Sequence, residues 1–466
     1  MSKLSIGVDR GGGRPAFRQI ADRVREAVAA GLLAPGDRLP AARVLAAQLG
    51  LARGTVDTAY ALLAGEGFIE GHGAAGTIVS PLLSPAAPPP PPAPAPVPEI
   101  GQVTGVLPFR MGLPALDAFP RTLWSRLAAR IARRTGPAEL AYPDPAGLPE
   151  LRESIAAYLR VARGIACTPD QVIVTAGFQG ALALAAAALL RPGDPVWVED
   201  PGYFLAHGAL RAGGARLVPV PVDPAGLDVA AGVAAAPDAR LAVVTPTHQA
   251  TLGVALSLPR RLALLDWAAR QGGWIVEDDY DGEFRYSGHP LPALKSLDRA
   301  DRVLYAGSFS KVLFPALRLG YLVPPAALHA ELVAASRVLQ GGLPALEQRI
   351  VAAFLAEGHF ARHIRKMRGL YAVRRAALAD ALAAAFGDRL SLTLQAGGMH
   401  LLARLADAPP DREMVVRALA AGLAPAAVST MSPSGRAEEG LLLGFTNVAE
   451  AAAPGLAARL ATAIGR

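Results

Sequence analysis

Apolar residues recur at helical spacing in three stretches near the start of the chain. They predict helices over residues 17–33, 40–49 and about 52–64, with Gly50 ending the second. The inner face of the first helix carries Ile20, Val24, Val28 and Leu32. The stretch GFIEGHGAAGTIVS then pairs short apolar runs with glycine-rich turns, which predicts a β-hairpin. Three helices and a hairpin together predict a winged helix-turn-helix.

A longer α/β region occupies most of the remaining chain. Short apolar runs recur before turns and helices, as in QVIVTAGF, DPVWVEDPGY, ARLAVVTPTHQ, GGWIVEDDYDGEF and DRVLYAGSFSK. Such runs are typical of buried strands in a mostly parallel sheet. Functional side chains should then lie at the carboxyl ends of the strands. Polar clusters fall at those ends, at residues 175–179, 199–203, 278–280 and 308–311.

A proline-rich tract separates the two regions. Ten prolines stand between Pro81 and Pro98, and such a run adopts extended polyproline II instead of a packed core. We interpret it as a semi-rigid spacer; the alternative is a dispensable insert or a ligand for an SH3-type domain. The predicted organisation is therefore a small domain over residues 1–80, a linker over residues 81–104 and a large domain over residues 105–466.

Composition limits the class of protein and the compartment in which it works. The 466 residues are 52% hydrophobic and 18% charged, which indicates a globular protein, and the net charge of +7 is a weak hint of an anionic partner. A single cysteine, Cys167, fits a reducing compartment. The start lacks an apolar signal segment, and the apolar runs are about half a membrane span. We expect a soluble cytoplasmic protein with no metal site and no membrane partner.

Lysine is rare enough to carry information. Only four of the 46 basic residues are lysine, so 42 are arginine. Arginine does not deprotonate in proteins and cannot replace lysine as an imine-forming amine. Lys311, in the strand-end stretch GSFSKVLFPALRLGYLV, is therefore a candidate reactive amine. A solvated surface lysine is the alternative.

The small domain carries side chains suited to DNA. Arg53 and Thr55 open the third predicted helix, the part that enters the major groove in helix-turn-helix proteins. There Arg53 could meet a guanine edge or a phosphate, and Thr55 a phosphate. Arg43 could reach the DNA backbone, and His72 and Gly73 at the hairpin tip could approach the minor groove. A winged helix that docks proteins is the alternative.

A resemblance supports the DNA-binding interpretation. The stretch GLLAPGDRLPAARVLAAQLGLARGTVDTAYALLAGEGFIEGHGAAGTIV is similar throughout to the DNA-binding domain of the GntR family. In that family, DNA is contacted by the residues at the positions of Arg43, Arg53, Thr55, His72 and Gly73. Asp57 stands where some members carry a basic residue. It either accepts from a cytosine amino group or is a solvated helix charge, and we favour the second interpretation.

The large domain offers the three groups that pyridoxal 5'-phosphate requires: an amine, a carboxylate for the pyridine nitrogen and a phosphate cup. Lys311 supplies the amine, and Asp278 or Asp279, at the end of a strand, supplies the carboxylate. Residues 175–179 turn from a strand into a helix whose first N–H groups could hold the phosphate. The cup could be completed by Ser308, Ser310 and Arg318.

This region resembles fold-type I pyridoxal-phosphate enzymes, the aminotransferase superfamily, through YPDPAGLPELR, TAGFQGAL, PGDPVWVEDPGY, VEDDYDGEF and SFSKVLFPALRLGYLV. The resemblance implies that Lys311 forms the internal aldimine and that Asp278 pairs with the pyridine nitrogen. It further implies that Tyr280 bonds the phenolic oxygen and that Tyr203 stacks on the ring. At the phosphate it places Gly177, Phe178 and Gln179.

With both halves in this order, the chain resembles the MocR/GabR-type subfamily of GntR transcriptional regulators. The expected fold is a winged helix-turn-helix joined to an α/β fold-type I aminotransferase-like domain. The resemblance implies double-stranded DNA with paired half-sites as one partner, a small-molecule effector as another, and a head-to-tail homodimer. The effector would be an amine, an amino compound or pyridoxal phosphate itself, sensed through the Lys311 aldimine.

Two departures separate the chain from an ordinary enzyme. TPTHQATLG lacks the cofactor-contacting asparagine of the usual Asn-Pro-x-Gly segment, with Ala250 in its place. GLLLGFTNV has Leu442 where these folds usually carry the arginine that forks a substrate carboxylate, although Arg436 is nearby. We therefore expect a regulator, with no residue acting in catalytic turnover. The alternatives are an active aminotransferase with an accessory helix-turn-helix domain, and a DNA-binding protein whose large domain only dimerises.

Overall fold

The computed structural model describes residues 7–9, 13–73, 76–83, 105–288 and 291–465. The chain forms two compact units, one up to residue 101 and the other from residue 102 onward. The predicted proline-rich spacer lies, from residue 84 to residue 104, outside the described residues.

The described part of the small unit contains three helices and a three-stranded sheet. Its elements are α1 (Ala16–Ala29), β1 (Arg38–Leu39), α2 (Ala42–Leu49), α3 (Arg53–Gly65), β2 (Ile69–Gly71) and β3 (Thr77–Val79). The strands lie in the order β1-β3-β2 and are antiparallel throughout. The predicted winged helix-turn-helix, with its terminal hairpin, is therefore confirmed.

The first predicted helix is too long at its end. α1 stops at Ala29, and Gly31 has a φ of +71°, which turns the chain away from the helix axis. Leu32 therefore misses the inner face and is 57% exposed, while Leu33 enters the core in its place. The second helix likewise begins at Ala42 instead of residue 40, because Ala41 has an extended backbone.

The large unit holds the remaining helices and strands. Its described helices are α4 (Arg121–Arg134), α5 (Pro149–Ala162), α6 (Gly177–Leu189), α7 (Phe204–Ala212), α8 (Val229–Ala235), α9 (Leu258–Gln271), α10 (Leu294–Leu297), α11 (Phe309–Val312), α12 (His329–Leu339), α13 (Ala345–Ala356), α14 (His359–Phe386), α15 (Asp411–Ala420) and α16 (Ala453–Ile464). Its strands are β4 (Ile173–Thr175), β5 (Pro195–Asp200), β6 (Arg216–Asp223), β7 (Gly226–Leu227), β8 (Leu241–Val244), β9 (Trp274–Asp279), β10 (Val303–Ser308), β11 (Gly320–Val323), β12 (Leu390–Thr393), β13 (His400–Leu405), β14 (Ala426–Ala427) and β15 (Leu441–Gly444).

An eight-stranded sheet forms the centre of this unit, in the order β4-β11-β10-β9-β8-β5-β6-β7. The five strands from β10 to β6 in that order are parallel, whereas β11 runs antiparallel to both of its neighbours. A second sheet, β12-β13-β15-β14, is antiparallel. The predicted mostly parallel sheet is confirmed, and its strands are largely buried apart from β6, in which only Val218 and Val220 are buried.

The carboxyl ends of the parallel strands form one edge of the large sheet. β10 pairs with β9 so that Ala306 faces Asp278, and Ser308 pairs with Gly320 of β11. Gly320 pairs in turn with Thr175 at the end of β4. This register brings strand ends that are far apart in sequence to one place. In the described part of the chain, no helix is long and apolar enough to cross a membrane.

Candidate cofactor pocket and nucleic-acid interface

Lys311 lies on the short helix α11 directly after β10, and its amine points to a main-chain carbonyl. Nζ donates to the carbonyl oxygen of Gly112 over 2.9 Å. A Cβ at Gly112, which has a φ of +70°, would overlap this amine, so the contact depends on glycine. Burial lowers the pKa of Lys311, and the carboxylates of Asp278 and Asp281 partly oppose that shift. An amine with a lowered pKa is more often neutral and able to attack an aldehyde.

The two acids at the end of β9 have different surroundings. Asp278 Oδ1 is buried and, among the described residues, has no hydrogen-bond partner. Asp279 is fully engaged, since Oδ2 lies 2.8 Å from Arg163 Nε and accepts from the Tyr305 hydroxyl over 2.7 Å. Burial raises the pKa of Asp278 well above its usual range, and the charges of Asp279 and Asp281 add to the shift. A protonated pyridine nitrogen would satisfy Asp278, which fits the cofactor; Asp279 already has its partners.

Tyr203 and Asp278 line one small cavity, together with Phe178 and Glu199. The rings of Tyr203 and Phe178 lie 6.2 Å apart and are tilted to one another. Burial raises the pKa of Tyr203 to about 12, so its phenol stays neutral. Tyr203 thus lies in the same cavity as Asp278, whose buried Oδ1 has no partner among the described residues.

The phosphate residues gather where β4 turns into α6. Arg318 Nη2 donates to the Ala176 carbonyl over 3.2 Å and to Gln179 Oε1 over 3.4 Å, beside Gly177 at the helix start. Arg318 has a φ of +52°, a conformation that non-glycine residues seldom adopt and that often marks a functional site. Phe178 is packed in the core, so its backbone N–H is the group available to a phosphate.

Ser308 and Ser310 flank the turn that carries Lys311. Ser308 is the N-cap of α11, and its Oγ accepts from the Ser310 N–H over 3.2 Å. Both serines are half-buried. Of the ten residues for which a cofactor role is predicted, Phe178, Tyr203 and Asp278 line one cavity, Arg318 lies beside Gly177 and Gln179, and Ser308 and Ser310 adjoin Lys311.

Tyr280 has a partner that the sequence reasoning missed. Its hydroxyl lies 2.8 Å from Nδ1 of His248, and Asp281 Oδ2 lies 3.0 Å from the same nitrogen. Burial, with the charges of Asp281 and Asp278, raises the pKa of Tyr280 well above its usual range. His248 and Asp281 stand in TPTHQATLG and VEDDYDGEF, two stretches far apart in the sequence, and only the fold brings them into contact.

A second missed group fixes the turn after β9. Arg163, at the end of α5, donates to the Gly282 carbonyl over 3.1 Å and lies 3.2 Å from Glu283 as well as pairing with Asp279. The hydroxyl of Tyr158 donates to Glu283 over 2.5 Å. This buried network holds the segment that carries Asp278 and Tyr280. In the sequence, Arg163 stands more than 100 residues before these acids, and no local pattern connects it to them.

Leu442 lies in an apolar cluster on β15. Its buried neighbours in the cluster are Leu402, Val428 and Met431, and Met111 and Leu252 pack against them half-buried. Met111 adjoins Gly112, the partner of Lys311, so the apolar cluster approaches the candidate pocket. Arg436 lies in an exposed segment, with its backbone N–H bonded to Ser432 and Ser434.

The predicted DNA contacts lie on the exposed face of the small unit. Arg53 is the first residue of α3, and its guanidinium, 73% exposed, lies 3.3 Å from Asp57 one turn later. Arg43 is exposed on α2, and Thr55 is half-buried in the first turn of α3. Asp57, with its side chain 50% exposed, pairs with Arg53 in this structure.

The wing presents the two remaining predicted contacts. His72 donates its backbone N–H to the Gly76 carbonyl over 2.8 Å, and its ring lies 3.6 Å from Glu70. Gly73 follows in the turn with a φ of +56°. Residues 74 and 75 between them and Gly76 lie outside the described part of the chain.

Comparison with known proteins supports both halves. The family model for bacterial regulatory proteins of the gntR family matches residues 17–79, and the model for aminotransferase class I and II matches residues 115–430. The structure of LysN, an alpha-aminoadipate aminotransferase from Thermus thermophilus complexed with N-(5'-phosphopyridoxyl)-L-leucine, is 31% identical, with a TM-score of 0.71, over 78% of this chain and 92% of that chain.

Two curated relatives extend over nearly the whole chain. A probable rhizopine catabolism regulatory protein MocR from Rhizobium meliloti is 36% identical over 95% of this chain and 92% of its own. The pyridoxine biosynthesis transcriptional regulator PdxR from Corynebacterium glutamicum is 35% identical over 92% and 91%. The protein is thus a DNA-binding transcriptional regulator built from a GntR helix-turn-helix and a fold-type I aminotransferase-like unit. It belongs to the MocR/GabR-type subfamily of GntR regulators.

Proposed function

We propose that this regulator holds pyridoxal 5'-phosphate on Lys311 and senses a small molecule there. The observation that carries the proposal is the buried, unpaired oxygen of Asp278 in the same pocket region as an amine whose pKa burial lowers. When bound, the cofactor supplies an aldehyde for which the Lys311 amine and an amine effector compete. Asp278 would hold the pyridine nitrogen, Tyr203 the ring face, and the turn before α6, with Ser308, Ser310 and Arg318, the phosphate.

The apolar cluster around Leu442 supports sensing over amino-acid turnover. A substrate carboxylate placed against this cluster would lose its water without gaining a partner, which costs several kcal/mol. The effector is therefore an amine without an α-carboxylate, an amino compound anchored elsewhere, or pyridoxal phosphate itself. The aminotransferase-like fold and the intact Lys311 and Asp278 keep a transaminase half-reaction as the second candidate.

Effector binding would act on the DNA-binding unit through a coupling of about 1–3 kcal/mol, which changes operator affinity by roughly five- to 150-fold. Arg53, Thr55 and Arg43 would contact one half-site, with His72 and Gly73 at the minor groove. A head-to-tail homodimer would present two such surfaces and require paired half-sites. A regulator of this kind works beside the chromosome, so we place it in the cytoplasm.

The test is a visible-absorbance titration of the purified full-length protein with pyridoxal phosphate, then with amines and amino acids, with operator binding measured in parallel. Lys311→Ala should abolish the coloured complex, and the matched control Lys366→Ala, at an exposed lysine, should leave it intact. Protein that stays colourless would favour a purely dimerising domain. Steady turnover of an amino donor and a keto acid at about 1 per second or faster would instead establish an enzyme.

A further inference from the structure

His248 occupies a space built around its imidazole. The side chain is buried, and a Cβ at Gly398 would overlap the ring. A Cβ at Gly253 would come within 2.9 Å of Nε2. Because a side chain at either position would push the imidazole away, the two glycines fix where Nδ1 points, which is toward Tyr280.

The loop that carries His248 is itself tied down. Gln249 Nε2 donates to Glu199 over 3.0 Å and to the Pro201 carbonyl over 2.8 Å, and Gln249 Oε1 accepts from the Thr251 and Leu252 N–H groups. Glu199 also accepts from the Thr245 hydroxyl and N–H. The loop that replaces the usual Asn-Pro-x-Gly segment is therefore held against the end of β5, and His248 cannot easily leave Tyr280.

Three titratable groups face the imidazole. Tyr280 and Asp281 follow β9, at 2.8 Å and 3.0 Å from Nδ1. His400, at the start of β13, has its ring centroid 5.4 Å away and its Nε2 3.1 Å from the Thr251 carbonyl oxygen. Burial lowers the pKa of His400 to about 4, so it is neutral at pH 7 and donates from Nε2 to that carbonyl. Asp281 is thus the carboxylate among these three groups, and its Oδ2 lies beside Nδ1.

A carboxylate oxygen beside Nδ1 favours the tautomer in which that nitrogen carries the proton. A protonated Nδ1 donates to the Tyr280 hydroxyl oxygen, so the tyrosine's own proton is free to point elsewhere. Burial keeps this phenol protonated, because it raises the pKa of Tyr280 well above its usual range. Asp281 is the competing acceptor for the Tyr280 proton, since a hydrogen bond with its carboxylate also raises the pKa of Tyr280.

We propose that His248 is a positioning residue that directs the Tyr280 hydroxyl proton into the cofactor pocket. It thereby supplies indirectly, through Tyr280, what the missing asparagine supplies directly in the usual segment. The inference rests on the proposed function, because it assigns to Tyr280 the cofactor's phenolic oxygen. A donor at that oxygen draws negative charge away from the proton shared with the Lys311 nitrogen, so this proton leaves at a lower pH.

The test compares the pH at which bound pyridoxal phosphate changes colour in wild type and two variants. His248→Leu fills the space without a donor and should move the midpoint upward by about one unit, the size of one hydrogen bond. His248→Asn places an amide N–H near the position of Nδ1 and should restore the wild-type midpoint. Equal shifts in both variants, or none in either, would overturn the proposal.

A double-mutant cycle asks whether His248 acts through Tyr280. Tyr280→Phe alone should raise the midpoint, and adding His248→Leu should raise it no further. Additive shifts would show that His248 acts by another route. Should His248→Leu fail to fold, His248→Gln replaces it, since its amide lies nearer the position of Nε2 and should not rescue. A colourless wild type would refute the proposed function itself, whereas a coloured wild type with unshifted variants would refute only this inference.

Discussion

Two arginine–aspartate pairs show how differently the two units use charge. Arg163 and Asp279 lie 2.8 Å apart with side chains 5% and 1% exposed, inside the large unit. Arg53 and Asp57 lie 3.3 Å apart with side chains 73% and 50% exposed, on the recognition helix. A buried pair is costly to break because a charge is left without a partner, whereas an exposed pair contributes about 0–1 kcal/mol. The Arg163–Asp279 pair should therefore affect the free energy of unfolding, and the Arg53–Asp57 pair should affect binding to operator DNA.

The largest expected effect is at the buried pair. Asp279→Asn should lower the free energy of unfolding by about 3–5 kcal/mol, because it leaves the Arg163 guanidinium undercompensated. Urea unfolding of the purified protein measures this. Asp266→Asn, which removes a carboxylate from an exposed pair with Arg270, is the matched control and should change the value by less than about 1 kcal/mol. Similar losses in both variants would contradict the contrast between buried and exposed charge.

A buried histidine beside the Lys311 helix should make stability depend on pH. His363 Nε2 donates to the Val312 carbonyl over 3.0 Å, while Nδ1 is buried and unpaired within the described chain. Burial lowers the pKa of His363 to about 4, against about 6.5 for the unfolded chain. The unfolded state therefore binds the proton first, and up to about 3 kcal/mol of stability is lost as the pH falls from 6.5 to 4.

His363→Gln can keep the donor to Val312 without titrating. The variant should lose less stability than wild type between pH 6.5 and 4, as measured by urea unfolding at several pH values. His207 has a pKa lowered to about 4 by burial and serves as a second site with the same sign. Parallel pH curves for wild type and His363→Gln would exclude this histidine as a source of the dependence.

Asp278 should behave in the opposite manner to Asp279, affecting cofactor affinity instead of stability. Asp278→Asn should weaken pyridoxal phosphate binding by roughly tenfold to 100-fold, the range for a hydrogen bond to a charged group. It should leave the free energy of unfolding of the cofactor-free protein unchanged or raised, because the buried Oδ1 of Asp278 has no hydrogen-bond partner to lose among the described residues. Equilibrium absorbance titration and unfolding measure the two quantities. A destabilised variant with normal cofactor affinity would reverse our assignment of the two acids.

On the exposed face, Arg53→Ala should weaken operator binding by about 1–3 kcal/mol and leave the visible spectrum of bound cofactor intact. Fluorescence anisotropy with operator DNA, at a stated salt concentration, measures the first. Arg191→Ala, an exposed arginine of the large unit, controls for the loss of one positive charge. Loss of DNA binding and spectrum together would mean that Arg53 is needed for folding.

The smallest effect is expected at Asp57. Asp57→Asn removes a negative charge near the phosphates and should strengthen binding to any DNA by about two- to fourfold, less than 1 kcal/mol. Asp266→Asn makes the same change of charge in the large unit and should not alter binding. A selective loss of operator binding would instead establish Asp57 as an acceptor for a cytosine amino group.

The sequence predicted the elements better than the orientation of individual side chains. Helical spacing located α1 and α3, but it could not show that a turn at Gly31 leaves Leu32 exposed, because the spacing itself continues past the helix end. The sequence likewise left Asp278 and Asp279 as alternatives for the pyridine nitrogen. Neighbouring residues of a strand face opposite sides, and only the packing of Arg163 and Tyr305 against one side separates the two acids.

Contacts between distant segments were the part that local patterns could not supply. Lys311, Arg318 and Gly177 lie at strand ends, so the rule that ligands bind at the carboxyl edge of a parallel sheet was enough to predict a shared site. His248 and Tyr280 come from different loops, and the position of the imidazole depends on Gly253 in its own loop and on Gly398 in a further segment. A pattern within one stretch of sequence cannot predict a contact between two separate loops.

The resting contact of the Lys311 amine is with a backbone atom, the Gly112 carbonyl oxygen. No exchange of one amino acid for another can delete that oxygen, so the contact is shielded from most mutations. A mutation can instead replace Gly112, whose lack of a Cβ lets the Lys311 amine approach. The position of the Lys311 amine therefore depends on a residue 199 positions earlier in the chain, because Gly112 has no side chain that would displace it.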